Sequence, residues 1–383
     1  MQAGKRPLPL LDLVGSSRAI GRAHGETARE QIAHNVGLYF RRFAVEGGVH
    51  RAEALDRGAQ YLAVIDRSAP DYGDIVRGIA EGSGRHLLEI AALNARYEIM
   101  YSEFSRVVME TSPRVNGADG CTAFAVMPEA SADGHLRIGQ NWDWIEGVEG
   151  LLLRVRREDG LHILSFTEAG IAGGKIGFNS AGIGLVINGL VSDQDSWERL
   201  RTPFHVRTWR ILNSRSLAEA IGVVKNEERS CSANYLLAHL SDDGRAHVID
   251  VETAPMTTRE LEPDSGVLAH ANHFLEPDQL SVWQPLEECT TTFRRCARMQ
   301  VLLAKQCGRL DDATLQNILA DHDGDPLGIC THSSTLFAED ESYVTVFSTV
   351  IDLHAGRMLV AAGNPCVTRF ESVTFEEPPI RSR

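Results

Sequence analysis

One feature limits what this chain can fold into more than any other: its residue pattern changes once, at a glycine-cysteine pair. In residues 1–110 apolar side chains recur mostly at spacings of three and four, as on one face of a helix. From Cys121 onward the apolar runs are short and strand-like, and Asp133-Gly134 and Asp159-Gly160 separate pairs of them as hairpin turns do. We therefore expect a helical first third followed by antiparallel sheets, with Gly120-Cys121 at the boundary.

The first third carries start and stop signals for helices. Ser16 or Ser17 is placed to cap a helix that runs to Phe43, and Gly47-Gly48 follows it as a stop signal. More helical stretches follow in residues 51–107, and two later ones lie within residues 292–319. The simplest architecture is an α+β fold in which helices enclose two long antiparallel sheets.

Charge and composition argue against several classes of partner. The formal net charge of −14 disfavours a nucleic-acid partner, which needs a basic face, and an anionic membrane surface. No apolar run reaches the length of a membrane span. Pro7 and Pro9 interrupt the leucine-rich N-terminus, and no clear cleavage site of a signal peptide follows. The seven cysteines are an odd, scattered set, so a reducing cytoplasm is the expected location.

The Gly120-Cys121 pair suits self-cleavage. A thiol at the start of a strand can attack the carbonyl of the preceding residue, and Gly120 has no side chain to block the attack. An N to S acyl shift followed by hydrolysis would leave Cys121 as a new N-terminus. An α-amine ordinarily has a pKa of roughly 7.7–8, so the amine of Cys121 could then serve as base for its own thiol. The alternative is that Cys121 is a buried apolar cysteine of a strand, as most free cysteines are.

Further short motifs follow the junction in a fixed order. The complete series is Asp119-Gly120-Cys121-Thr122, Asn141-Trp142-Asp143-Trp144, Thr167-Glu168-Ala169-Gly170, Asn179-Ser180-Ala181-Gly182, His270-Ala271-Asn272-His273-Phe274, Ile329-Cys330-Thr331-His332 and Gly363-Asn364-Pro365-Cys366. This series resembles the isopenicillin N acyltransferase (acyl-CoA:6-aminopenicillanic acid acyltransferase) family, and its order and spacing hold over most of the chain. Choloylglycine hydrolases and penicillin V acylases look like more distant relatives.

The resemblance implies an N-terminal nucleophile hydrolase with a four-layer αββα sandwich. It also implies a precursor that cleaves itself between Gly120 and Cys121. Residues 1–120 would then form a helical N-terminal segment, the α piece, and residues 121–383 the hydrolase core, the β piece. The two pieces would stay together, and a homo-oligomer is a further expectation that the sequence leaves open.

The resemblance also assigns roles to individual residues. Cys121 matches the nucleophile, and Asp143 matches the aspartate that holds the new α-amine. Asn272 matches the asparagine that stabilises the oxyanion, and Asn188 matches a second asparagine of the bile-salt branch, with a one-residue slip left open. Arg294 is the first choice for an arginine that supports the nucleophile. Arg295 competes with it, because the threonine-rich stretch before Phe293 leaves the register open.

The expected activity is cleavage of an amide bond through an acyl-thioester on Cys121. The substrate would be a small acylated amine or peptide-like amide, and the acyl group would pass to water or to an amine, with acyl-CoA left open as a donor. Trp142, Trp144 and Phe274 are candidates for lining an apolar acyl site, or they are core residues. The alternatives are a catalytically silent binding or sensing module on the same fold and a metal-dependent hydrolase.

Histidines and glycines are the candidates for a metal or cofactor site. His270 and His273 form an H-x-x-H, and His322 and His332 occur later near Cys330. However, neither His-Glu-x-x-His nor C-x-x-C occurs, and the glycines between 170 and 177 form no nucleotide-binding fingerprint. We therefore expect neither a metal nor a cofactor.

Overall fold

The computed structural model describes residues 7–111, 120–284, 291–334 and 342–376. Asp119 of the junction motif lies outside these ranges, as does most of the stretch between the predicted helices and Gly120. The helices are α1 (Ser17–Thr27), α2 (Arg29–Gly47), α3 (Arg51–Ser68), α4 (Pro70–Ser83), α5 (Leu87–Asn94), α6 (Arg96–Thr111), α7 (Phe204–Leu212), α8 (Leu217–Lys225), α9 (Pro277–Leu280), α10 (Thr292–Lys305) and α11 (Asp312–Leu319).

Within those ranges the strands form two sheets. They are β1 (Leu10–Val14), β2 (Thr122–Val126), β3 (Arg137–Ile145), β4 (Gly150–Arg156), β5 (His162–Glu168), β6 (Ile176–Asn179), β7 (Ile183–Gly189), β8 (Ala233–Leu240), β9 (Ala246–Thr253), β10 (Thr258–Leu261), β11 (Val267–His270), β12 (Tyr343–Asp352), β13 (Arg357–Ala362) and β14 (Glu371–Thr374). The larger sheet has the order β1-β4-β5-β6-β7-β8-β9-β10, and the smaller one has the order β11-β2-β3-β12-β13-β14.

The two sheets pack face to face between two helical layers. Strands β2 and β3 of the smaller sheet contact β7 of the larger one. Helices α7 and α8 cover the outer face of the larger sheet, and α10 and α11 cover that of the smaller sheet. The fold is therefore the expected α+β, four-layer αββα sandwich.

The side chains of β2 point alternately into the two layers on either side of the smaller sheet. Ala123 and Ala125 face the core between the sheets, whereas Phe124 and Val126 pack with the apolar residues of α10 and α11. All four side chains are buried. Period-2 alternation with apolar residues on both faces is what a strand covered on both sides requires.

The N-terminal segment departs from the expectation of helices alone. Leu10–Val14 is a strand, β1, that pairs in parallel with β4. Leu11 and Leu13 are buried while Asp12 is exposed and pairs with Arg154, so the alternation is present but only five residues long. Residues before and after Gly120 thus share one sheet. The division at 120/121 stays a prediction about cleavage.

The first predicted helix is two helices. Ser16 caps α1 as expected, but the chain leaves helical geometry at Ala28, and α2 then runs to Gly47 with Gly48 in the left-handed conformation. Helix α1 packs closely on α4, and a Cβ at Gly21 would lie 2.1 Å from the Ile75 carbonyl oxygen. The break lets α1 follow α4 while α2 turns toward the sheets. Among the described residues, no helix combines the length and the apolar character needed to cross a membrane.

Candidate active site

The Gly120-Cys121 junction lies at the start of a central strand. Cys121 directly precedes β2, which lies between β11 and β3 in the smaller sheet. Cys121 is buried, and its Sγ lies 3.8 Å from the backbone oxygen of Asp143. A Cβ on Gly120 would approach the Asp143 carboxylate to 2.8 Å. Glycine is therefore the residue that fits before the cysteine, and the carboxylate lies beside the junction.

Asp143 is held by two threonine hydroxyls. Its side chain is fully buried on β3, with Oδ1 accepting from Thr345 Oγ1 at 2.6 Å and Oδ2 accepting from Thr331 Oγ1 at 2.7 Å. Thr345 is on β12, and Thr331 is in the segment after α11. These contacts fix the orientation of the carboxylate. Neither threonine was singled out from the sequence, because each is far from Asp143 along the chain.

Arg295, rather than Arg294, reaches the junction. Its Nη1 donates to the carbonyl oxygen of Gly120 at 2.5 Å, to that of Cys121 at 2.8 Å and to Thr122 Oγ1 at 2.8 Å. Arg294 is exposed, and its guanidinium donates to the Gly324 and Leu327 carbonyl oxygens. These contacts favour Arg295, the competing choice, over Arg294, the first choice, for an arginine that supports the nucleophile.

The helical period explains the difference between the two arginines. Neighbouring residues of a helix point about 100° apart, so one of two adjacent arginines can lie on the buried face while the other lies outside it. The buried residues of α10 are Thr292, Arg295, Cys296, Met299 and Leu303. This is the spacing of a core-facing helix, and Arg295 belongs to it. The apolar positions Cys296, Met299 and Leu303 could have indicated the register from the sequence.

Both predicted asparagines lie at the junction. Asn188, at the end of β7, donates from Nδ2 to the Cys121 carbonyl oxygen at 3.2 Å. Asn272 follows β11; its Oδ1 accepts from Arg295 Nη2 at 3.0 Å, and its Nδ2 donates to the Gly189 carbonyl oxygen at 3.1 Å. Arg295 therefore links Asn272 to the cysteine in one hydrogen-bonded group.

The three aromatic candidates are core residues in this structure. Trp142 and Trp144 are 2% and 1% exposed and stack on each other between the sheets and the N-terminal helices. Phe274 is 1% exposed and lies in a separate apolar cluster with Leu190 and Leu280. They do not form one common pocket. The structure thus favours the core alternative for all three.

A buried charge cluster next to the tryptophans was not foreseen. Glu168 accepts hydrogen bonds from Arg96, Lys175 and Tyr39, and all four side chains are buried. Lys175 Nζ lies 3.2 Å from the centroid of the Trp142 ring. Burial lowers the pKa of Lys175 to about 7, while the charges of Glu168 and Cys121 act to raise it.

The H-x-x-H histidines are engaged separately. His270 Nε2 lies 3.0 Å from a Glu252 carboxylate oxygen, whereas His273 Nδ1 lies 3.0 Å from Thr292 Oγ1. Their ring centroids are 6.4 Å apart. His270 therefore links β11 of the smaller sheet to β9 of the larger one, and His273 contacts the start of α10, so the two rings do not share a partner.

Comparison with known proteins agrees with the motif series. A model of the acyl-coenzyme A:6-aminopenicillanic acid acyl-transferase family matches residues 130–366, which begin after Cys121 and include Asp143, Asn188, Asn272 and Arg295. The 40 kDa form of acyl-coenzyme A:6-aminopenicillanic-acid-acyltransferase from Emericella nidulans is 28% identical over 360 residues, which are 92% of this chain and 91% of that protein.

Solved structures of two amide hydrolases show a more distant likeness. An N-acylethanolamine-hydrolyzing acid amidase ortholog from Caenorhabditis elegans aligns over 61% of this chain and 93% of its own, at 14% identity and a TM-score of 0.40. The R18L variant of conjugated bile acid hydrolase from Clostridium perfringens aligns over 68% of this chain and 100% of its own, at 14% identity and a TM-score of 0.42. The family match, which spans more than half of the sequence, decides the assignment: this chain belongs to the acyl-coenzyme A:6-aminopenicillanic acid acyl-transferase family.

Proposed function

We propose that this chain is a cysteine N-terminal nucleophile enzyme that cuts itself between Gly120 and Cys121 and then cleaves a small amide. The observation that carries the proposal is the position of Arg295. Its Nη1 donates to the carbonyl oxygens on both sides of Cys121. A buried guanidinium at the carbonyl that would be attacked is what stabilisation of a developing oxyanion requires.

The self-cleavage step uses the Cys121 thiol and the neighbouring Gly120 carbonyl group, whose oxygen already accepts from Arg295. Cys121 Sγ attacks the Gly120 carbonyl carbon, and the negative charge forms on the oxygen that Arg295 contacts. The Gly120–Cys121 C–N bond then breaks, and the nitrogen takes up the proton that the thiol has released, so that it becomes an amine. Water hydrolyses the resulting thioester, which restores the thiol and leaves Gly120 with a free carboxylate. Cys121 is buried in the uncut chain, so the chain around it must rearrange before substrate can reach the thiol.

Turnover then repeats the same chemistry on an external amide. The new α-amine accepts the thiol proton, and Asp143 holds that amine in place through its charge. Cys121 Sγ attacks the substrate carbonyl carbon, the amide C–N bond breaks to leave an acyl-thioester, and the departing amine takes the proton from the α-ammonium group. Asn272 and Asn188 are the neutral donors proposed for the oxyanion. Loss of one such donor would lower kcat by about 10²–10³-fold.

The acceptor of the acyl group is water or an amine. The relative from Emericella nidulans is named as an acyl-coenzyme A-dependent acyltransferase. Acyl-CoA is therefore a proposed donor here, and a small acylated amine or peptide-like amide is the proposed substrate. The proposed location is the cytoplasm.

The second candidate function is a catalytically silent binding or sensing module on the same fold. A panel of amides with detection of the released amine distinguishes this module from an amidase, because only the enzyme releases amine.

Intact mass spectrometry and N-terminal sequencing test the proposal. We expect two fragments, the second of which begins with Cys121. Cys121→Ala should give a folded, uncut and inactive protein, and Cys121→Ser should cleave slowly because a hydroxyl is a weaker nucleophile. Cys231→Ala is the matched control, since Cys231 is also buried but lies against the Glu98 carbonyl oxygen. An uncut wild-type chain with full amidase activity would contradict the self-cleavage. Wild-type turnover by Cys121→Ala would contradict the nucleophile.

A further inference from the structure

Four side chains of metal-binding types converge outside the junction. His322, Cys330 and His332 lie in the segment that follows α11, and Cys366 lies in the turn that follows β13. One ligand atom from each of the four lies within 4.8 Å of all the others. Cys330 is buried, His332 and Cys366 are half-buried, and His322 is exposed. The cluster thus lies beyond the ends of strands β12 and β13, where the exposed His322 leaves it open to solvent.

Four of the six distances between ligand atoms are close to those of a tetrahedral zinc site, and the other two, from His322 to the sulfur atoms, are within 4.8 Å. His332 Nε2 lies 3.2 Å from His322 Nε2, 3.4 Å from Cys330 Sγ and 3.4 Å from Cys366 Sγ. The two sulfur atoms are 3.6 Å apart. Zinc bonds of about 2.3 Å to sulfur and about 2.0–2.1 Å to nitrogen would separate tetrahedral ligands by roughly 3.3 Å for N–N, 3.5 Å for S–N and 3.8 Å for S–S.

We propose that His322, Cys330, His332 and Cys366 bind one Zn²⁺ ion in a closed Cys₂His₂ site. A tetrahedral set of two sulfurs and two imidazoles is typical of zinc among the common protein metals. Each thiol releases its proton when it binds, so two thiolates balance the charge of the ion and the imidazoles bind as neutral ligands. All four positions belong to the protein, and no position is left for a water nucleophile. The ion is therefore structural, which does not support the metal-dependent hydrolase alternative.

Neighbouring groups are placed to support such a site. Asn364 Nδ2 lies 3.6 Å from Cys330 Sγ and donates to the Thr331 carbonyl oxygen at 2.6 Å. A donor to a coordinating sulfur orients the ligand and stabilises its negative charge. Asn364 also ties the segment after α11 to the turn after β13. The ion would link these same two segments. Asn364 and Cys330, which meet here, are 34 residues apart in the sequence.

The ion would also fix the loop that reaches Asp143. Thr331 lies between two of the ligands, and its hydroxyl donates to Asp143 Oδ2. The described residues 320–334 of the segment after α11 form turns, bends and isolated bridges but no helix or strand. A structural zinc site supplies folding free energy where the backbone alone does not. The physical role we assign to the ion is to hold Thr331 against the buried carboxylate.

Metal analysis of the purified full chain tests the site without any activity measurement. We expect about one zinc per chain after gel filtration in chelator-free buffer. Cys366→Ser and His322→Gln should lose most of it. Cys307→Ser should keep the zinc, because Cys307 is exposed and its Sγ lies 3.8 Å from the Ser265 backbone oxygen rather than among the four ligands. Cobalt added to the metal-free protein should give the absorption of tetrahedral Co²⁺ with bound thiolate in wild type and Cys307→Ser alone.

Thermal unfolding with and without a strong chelator gives a second readout. The chelator should lower the Tm of wild type and of Cys307→Ser, but not that of His322→Gln, whose side chain is exposed and whose fold should survive the change. The proposal is wrong if folded wild type binds neither zinc nor cobalt, or if the ligand variants bind as much as wild type. It is also wrong if peptide mapping finds Cys330 and Cys366 joined in a disulfide.

Discussion

Arg295 is the side chain that connects most groups of the candidate site. It contacts Gly120, Cys121, Thr122 and Asn272, and it is 2% exposed. One guanidinium can make these contacts together because its donors form a planar fork. A lysine would retain the charge but lose that geometry. Replacing Arg295 with lysine therefore tests whether the site needs the geometry of the guanidinium or only its positive charge.

Conservative changes at the two neighbouring arginines form a matched pair. We expect Arg295→Lys to slow cleavage at Gly120 by about tenfold or more, since Arg295 Nη1 contacts the carbonyl that would be attacked. Arg294→Lys should cleave at the wild-type rate, because Arg294 contacts Gly324 and Leu327 instead. Loss of the uncut chain on a gel gives the rates, and circular dichroism confirms that both variants fold. Equal rates for the two variants would remove Arg295 from the proposed step.

Helix α7 is joined to α6 by a buried carboxyl group. Glu98 Oε1 accepts from the backbone N–H of Phe204, the first residue of α7, at 2.6 Å. Glu98 is 2% exposed, and burial raises its pKa to about 7. The N-terminus of a helix favours a negative side chain, but here the cost of burying the charge is the larger effect.

This shift predicts a pH dependence of stability. The folded pKa lies above the unfolded value of 4.5, so the folded chain binds more protons between pH 4.5 and about 7. The contribution of Glu98 is therefore fully present below pH 4.5 and lost as pH rises through about 7, by an amount on the order of 3 kcal/mol. The free energy of unfolding, measured by urea titration at several pH values in this range, should depend less steeply on pH for Glu98→Gln than for wild type. Glu30→Gln, at an exposed glutamate of α2, should retain the wild-type slope. Equal slopes for Glu98→Gln and wild type would contradict the assignment.

At the scale of the whole molecule, the segment before Gly120 is built into the sandwich. Strand β1 completes the larger sheet, and Arg96 of α6 forms a buried ion pair with Glu168 of β5. Both side chains of this pair are at most 3% exposed. These contacts would keep the two pieces together after a cut at Gly120, without a covalent bond between them.

The buried pair should matter far more than a surface pair. Arg96→Met leaves the Glu168 charge buried without its arginine, and we expect it to lower the free energy of unfolding by about 3–5 kcal/mol. Arg245→Met removes an exposed pair with Asp243 and should cost at most about 1 kcal/mol. Denaturant titration of both variants measures the difference. A similar small change in both would mean that Lys175 alone compensates Glu168.

Several features of this protein could be predicted from the sequence because their signals are local. Asp159-Gly160 predicted the β4–β5 hairpin, and Gly160 has the positive φ of 83° that such a turn requires. The pairing of β2 with β3 around Asp133-Gly134 is also confirmed, although the connection is longer than a tight turn. Motif order indicated the family and, with it, the four-layer fold. Each of these signals lies within a few neighbouring residues or in a series of such short stretches.

Other features depended on which distant segments meet. The apolar positions of α10 can indicate that Arg295, and not Arg294, belongs to its buried face, but only the packing of α10 on β2 and β11 brings that face to Cys121. The sequence could not show that Trp142 lies beneath the buried Lys175. Nor could it bring Cys366 to Cys330, because those ligands share no local spacing of the C-x-x-C type. A strand or helix pattern states which face of an element is buried, but the partner of that face is decided by packing between residues far apart in the chain.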